Sequence, residues 1–95
     1  MDLLSKDDIN KNLSFLDGWS YENNSIRKEF KLKNFIEAVG FINKIAIQAE
    51  KLDHHPDILL HSYNRLTITL STHSKGGVTK NDFDLAKSIE ELFAK

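Results

Sequence analysis

Ninety-five residues, 40% of them hydrophobic and 28% charged, can build one core and are too apolar for a disordered chain. A formal net charge of −1 gives no whole-chain attraction to nucleic acid or an anionic membrane, so neither is an expected partner. The absence of cysteine excludes disulfides, thiolate metal sites and a cysteine nucleophile, and fits a reducing compartment.

The opening MDLLSKDDINKN lacks the basic and apolar regions of a signal peptide, and no apolar run approaches the ~18 residues that span a bilayer, so a cytoplasmic protein is expected. No repeat or linker interrupts the chain, which reads as a single domain over 1–95. Ser5 with Asp8 three residues on is a capping-box pattern, and Ile9, Leu13 and Leu16 follow at helical spacing, predicting a first helix that stops near Asp17-Gly18. Trp19 to Glu22 and Ser25 to Leu32 flank Asn23-Asn24 and predict a β-hairpin, with Ile26, Phe30 and Leu32 on one face and Arg27, Glu29 and Lys31 on the other.

Asn34 is placed to cap a long helix whose stripe is Phe35, Ala38, Val39, Ile42, Ile45, Ala46, Ala49 and Leu52. Ile36, Gly40, Phe41 and Ile47 fall outside that stripe, and an apolar girth this wide predicts a subunit contact. Pro56 disfavours helical geometry at His55, so the helix should end near Asp53. Leu60 to Tyr63 and Leu66 to His73 then flank a turn at Asn64-Arg65, with Leu66, Ile68 and Leu70 on one face and Thr67, Thr69, Ser71 and His73 on the other. After an SKGG loop, Thr79 and Asp82 repeat the capping box and open a last helix through Phe83, Ala86, Ile89, Glu90 and Phe93. The order α-β-β-α-β-β-α predicts an α+β two-layer sandwich: a four-stranded antiparallel sheet with helices packed on one face.

His54, His55 and His73 each fall at the end of an element, where side chains from different segments converge. Imidazole titrates near neutral pH, so a pair of them can act as acid on one atom and base on another. Metal binding is the weaker use. Adjacent histidines in extended chain point apart, and no HExxH-like zinc spacing is present, so no metal is expected. Each residue also has an ordinary structural explanation: a helix-terminal or solvated histidine, Asp82 as the third residue of a capping box, and Trp19 and Tyr63 as core or edge aromatics. His61 reads as a solvent-facing strand residue.

The joint pattern outweighs those single explanations. Glu50, three residues, His54-His55-Pro56, six residues, Tyr63, nine residues, His73, eight residues, Asp82 resembles the signature of the pterin-4a-carbinolamine dehydratases. The similarity runs from the DGW at Asp17 to Trp19 through GFINKIAIQAEKLDHHP and LTITLSTHSKGGVTKND to the last helix. The resemblance implies a lyase that dehydrates 4a-hydroxytetrahydropterin to quinonoid dihydropterin without metal or organic cofactor, recycling the pterin used by aromatic amino acid hydroxylases. It implies His54, His55 and His73 as catalytic residues, and Asp53, His54, His55, Ser71, Thr72, His73 and Ser74 as contacts to the pterin. Glu50 and Asp82 would orient or tune the imidazoles, with Trp19 as a further supporting residue. Acid and base roles stay open among the histidines. The family associates through helices into dimers or tetramers, and animal relatives act as dimerisation cofactors, which makes a non-catalytic, helix-mediated interaction protein the alternative. Val78 and Asn81 depart from the residues common in the family, where leucine and, in some members, arginine stand.

Overall fold

The computed structural model describes residues 2–95. Helix α1 spans Lys6–Leu13, strands β1 and β2 span Ser20–Glu22 and Ser25–Lys31, α2 spans Phe35–Leu52, β3 and β4 span Asp57–His61 and Arg65–Leu70, and α3 spans Lys80–Ala94, with a single 3₁₀ turn at His73–Lys75 before it. The strands form one antiparallel sheet in the order β1-β2-β4-β3, and the helices cover one face, as the α-β-β-α-β-β-α pattern predicts.

The core lies between the layers. Ile26 and Phe30 from β2 and Leu66, Ile68 and Leu70 from β4 meet Phe41, Ile45 and Ala49 of α2 and Phe83, Leu85, Ala86 and Ile89 of α3. Phe30 makes edge contacts with Phe41 at 5.5 Å and Phe93 at 4.9 Å between ring centroids, which joins sheet, α2 and α3 at one point. The other face of the sheet carries Arg27, Glu29, Thr67, Thr69 and Leu59 and has no helix on it among the described residues.

Four expectations change. The stripe of α2 is rotated: Phe41 is buried, while Phe35 and Leu52 are exposed, so the core face is Ala38, Phe41, Ile45 and Ala49. A helix apolar on most sides leaves its inward face to be chosen by the partner, here the Phe30 and Phe93 rings. Helix α1 stops at Leu13, and Ser14 to Leu16 continue in tight turns before Gly18, whose φ of 84° and close approach to the Lys28 side chain suit glycine. The β3–β4 loop is Ser62 to Asn64, with Ser62 and Tyr63 left-handed at φ 52° and 56°, so β3 starts earlier, at Asp57. Asn64 is instead an anchor: its carbonyl accepts the Leu32 N–H at 2.8 Å and its Nδ2 donates to the Leu32 carbonyl at 2.9 Å. Finally, β4 ends at Leu70, so His73 belongs to the 3₁₀ turn rather than to the strand.

Lys28 points inward on the same parity as Ile26 and Phe30. Its ammonium donates to Glu90 at 2.9 and 3.0 Å and to the Asp17 carbonyl at 2.9 Å, and Glu90 also accepts the Trp19 indole N–H at 3.1 Å. The charge is tolerated there because every donor it turns inward finds an acceptor. Glu90→Leu should therefore lower unfolding free energy by about 1–3 kcal/mol, the cost of stranding a half-buried donor. Urea unfolding checks this, and Lys28→Met in the same chain should recover part of the loss.

Candidate active site

Helix α2 ends in a tight reversal. Asp53 adopts the left-handed conformation at φ 49°, its N–H reaches the Glu50 carbonyl at 3.2 Å, and the His54 N–H reaches the Ala49 carbonyl at 3.0 Å. These two bonds form a Schellman motif, which folds the residue after the left-handed one back over the last helical turn. That residue is His54. It is 8% exposed, whereas His55, one step on and held extended by Pro56, faces solvent.

Asp82 lies in the first turn of α3 and is fully buried. One carboxylate oxygen meets His54 Nε2 at 2.5 Å, and the other accepts the Thr79 N–H at 2.9 Å and the Thr72 hydroxyl at 3.0 Å. Thr72 Oγ1 is also 2.7 Å from Thr79 Oγ1. A carboxylate that already accepts two donors on one oxygen serves as an acceptor on the other, so His54 Nε2 carries the proton and Nδ1 is the ring nitrogen left for other chemistry. Among the described residues no buried side-chain nitrogen or oxygen lacks a partner, so this polar cluster is internally complete.

The second histidine pair is open. His55 Nε2 lies 2.6 Å from Glu50 Oε2, both side chains being largely exposed. His73 is exposed at the start of the 3₁₀ turn and makes no side-chain hydrogen bond among the described residues. The last β3–β4 pair, Asp57↔Thr69, stands two residues from His55 on one strand and two from Ser71 on the other, so both segments leave the sheet at the same end. Thr72 then bridges to Gly77, which closes the loop carrying His73 and Ser74.

Hydrogen bonds join His54, Asp82 and Thr72 in one cluster and His55 with Glu50 in another, while Asp53, Ser71, His73 and Ser74 lie on the chain segments that flank them. Trp19 is a core residue on Phe30 and Glu90, and Glu90 stands about 12 Å along α3 from Asp82 at 1.5 Å per residue. Tyr63 is at the tip of the β3–β4 loop and His61 bonds Glu29 at 3.0 Å, both at the opposite end of β3. Among the described residues no group of three or more histidines and carboxylates converges in a way that would hold a metal ion.

The family model for pterin 4 alpha carbinolamine dehydratase matches residues 2–92. The chain belongs to the pterin-4a-carbinolamine dehydratase family. A relative from Sulfolobus acidocaldarius, named "Putative pterin-4-alpha-carbinolamine dehydratase", is 51% identical over 94% of this chain and 97% of its own length. A Picosynechococcus relative of the same name is 48% identical over 94% and 96%. Among solved structures, the transcriptional coactivator/pterin dehydratase from Brucella melitensis superposes with a TM-score of 0.91 at 40% identity, covering 96% of this chain and 98% of that one. A pterin dehydratase-like RuBisCO assembly factor of the alpha-carboxysome shares the fold, with a TM-score of 0.63 at 17% identity over 78% of this chain and 84% of that one.

Within this family framework the residue that sequence spacing left in the background is Thr79, visible there only as a helix cap. Its burial beside Asp82 ties it to the histidine cluster. Removing the carboxylate with Asp82→Ala should cost about 2–4 kcal/mol in stability, because each buried donor it strands costs about 1–3 kcal/mol. Glu50→Ala, at an exposed pair, should change stability by less than about 0.5 kcal/mol. Chemical denaturation of the two variants beside the parent measures the contrast.

Proposed function

We propose that this protein is a hydro-lyase that converts 4a-hydroxytetrahydrobiopterin, or a related 4a-hydroxytetrahydropterin, to the quinonoid dihydropterin and water as a step in pterin recycling. The observation that carries the reading is the Asp82 bridge, which links His54 on one oxygen to Thr72, next to His73, on the other. It supports a site built from residues 53–55 and 71–74, with Glu50 and Asp82 orienting the imidazoles.

The chemistry needs one acid and one base. As the C4a–O bond breaks, the departing oxygen takes the electron pair and a proton from an imidazolium. The N5 lone pair forms the C4a–N5 double bond, and the proton on N5 passes to a neutral imidazole, so water and quinonoid product leave in balance. In this reading His54, whose Nε2 faces Asp82, accepts the N5 proton at Nδ1, and His55 or His73, both exposed, protonates the leaving oxygen. No metal or organic cofactor enters this scheme.

A second reading rests on α2. Phe35 is 56% exposed, Ile36 72% and Ile47 57%, and the outer face of α2 around Ala46 and Ile47 is uncovered. Such a face favours helix-mediated association. It supports a homodimer or homotetramer through α2, and equally a non-catalytic, helix-mediated interaction protein, an interaction role that the word coactivator in the name of the Brucella melitensis structure also carries. No helix among the described residues is long and apolar enough to cross a membrane.

His54→Ala and His73→Ala should each lower dehydration of a 4a-hydroxytetrahydropterin by tenfold or more while the circular-dichroism spectrum is retained, since one placed acid or base contributes about 10²- to 10⁴-fold. Unchanged rates in both would leave the interaction reading in possession. Ile47→Asp should convert the parent oligomer to a monomer in light scattering, because a carboxylate cannot be buried unpaired in an apolar contact.

A further inference from the structure

Thr79 is fully buried, and its hydroxyl has one proton to give. Thr72 Oγ1 lies 3.0 Å from the Asp82 carboxylate, which has no proton to give, so the Thr72 hydroxyl proton points at Asp82. The 2.7 Å contact between the two threonine hydroxyls must then run from Thr79 to Thr72. The result is a one-way chain in which Thr79 donates to Thr72, Thr72 donates to Asp82, and His54 Nε2–H donates to the remaining Asp82 oxygen. The Thr79 backbone N–H reaches the same carboxylate at 2.9 Å, so one residue grips Asp82 both directly and through Thr72.

We infer that Thr79 is a positioning residue for His54: acting through Thr72 and Asp82, it holds the imidazole in the tautomer that keeps Nε2 protonated and Nδ1 free. The kinetic consequence rests on the dehydratase reading above; the tautomer consequence does not. Without the Thr79 hydroxyl, the half-buried Thr72 hydroxyl is free to turn toward water, and Asp82 loses a donor that fixes which oxygen faces His54. A helix cap that served α3 alone would leave the His54 ring unchanged.

The test compares Thr79→Val, which keeps shape and removes the hydroxyl, with Thr79→Ser, which restores it. Ring ¹⁵N shifts of His54 report the tautomer, and steady-state kinetics with a 4a-hydroxytetrahydropterin report kcat and KM separately. Thr79→Val should give mixed tautomers at His54 and a kcat lowered about three- to tenfold at unchanged KM, the scale of one neutral hydrogen bond. Thr79→Ser should restore both. Should Thr79→Val fail to fold, Thr72→Val breaks the same chain one step nearer the carboxylate, on a residue that is only half-buried, and should show the same tautomer mixing. A His54 ring locked as in the parent, in whichever of these variants folds, overturns the inference. A parent without dehydratase activity whose His54 tautomer still responds to Thr79→Val leaves the positioning role standing and removes the proposed function instead.

Discussion

The carboxylate of Asp82 is fully buried, and a buried carboxylate persists only when its lone pairs are answered by donors. The donors come from separate pieces of the chain: His54 from the reversal after α2, Thr72 from the segment after β4, and the Thr79 backbone from the cap of α3. Satisfying one side chain therefore fixes how the ends of α2, β4 and α3 lie relative to one another. The hydrophobic layer between sheet and helices sets the gross packing, but apolar contacts are non-directional and would tolerate small slips. Hydrogen bonds of 2.5–3.0 Å to one carboxylate do not.

The reversal at Asp53 divides the labour between adjacent histidines. A Schellman motif directs the residue after the left-handed position onto the helix end, so His54 goes inward, and Pro56 keeps the next residue extended, so His55 goes outward. A non-glycine residue at φ 49° carries strain, although aspartate is among the side chains that enter this region most readily. Glycine would make the turn with less strain. One imidazole is thus pre-oriented at low exposure, and another is left to move with solvent at the exposed Glu50 pair.

Local signals in the sequence reached most of the architecture. Ser5, Asn34 and Thr79 mark the three helix starts, and Asn23-Asn24, both left-handed, mark the first hairpin, because caps and tight turns are written in a few adjacent residues. What escaped depends on distant partners. Ser62 and Tyr63 lack the Asn-Gly type of turn pair, and their loop is held by the pairing of Asn64 with Leu32, just past the end of β2. Lys28 reads as a polar break in an apolar face until Glu90, 62 residues on, supplies its counter-charge. For the candidate site, the histidine spacing singled out residues on separate segments, but neither the inward turn of His54 nor the hydroxyl chain from Thr79 has a signal that spacing alone could carry. Trp19, grouped with the site by resemblance, is claimed by the core through Phe30 and Glu90.

The apolar face of α2 and the histidine cluster meet at one residue. Glu50 lies on the outer face of α2 with Ala46 and Ile47, and the same carboxylate holds His55 Nε2 at 2.6 Å. An exposed pair of this kind contributes little by itself, since water competes for both groups. A second helix laid along this face would remove part of that water, and the attraction between imidazole and carboxylate strengthens as the local dielectric falls. Assembly through α2, as proposed, would then do more than cover apolar surface: it would restrain His55 through Glu50. The exposed half of the site would depend on the partner for its order, and the buried half would not.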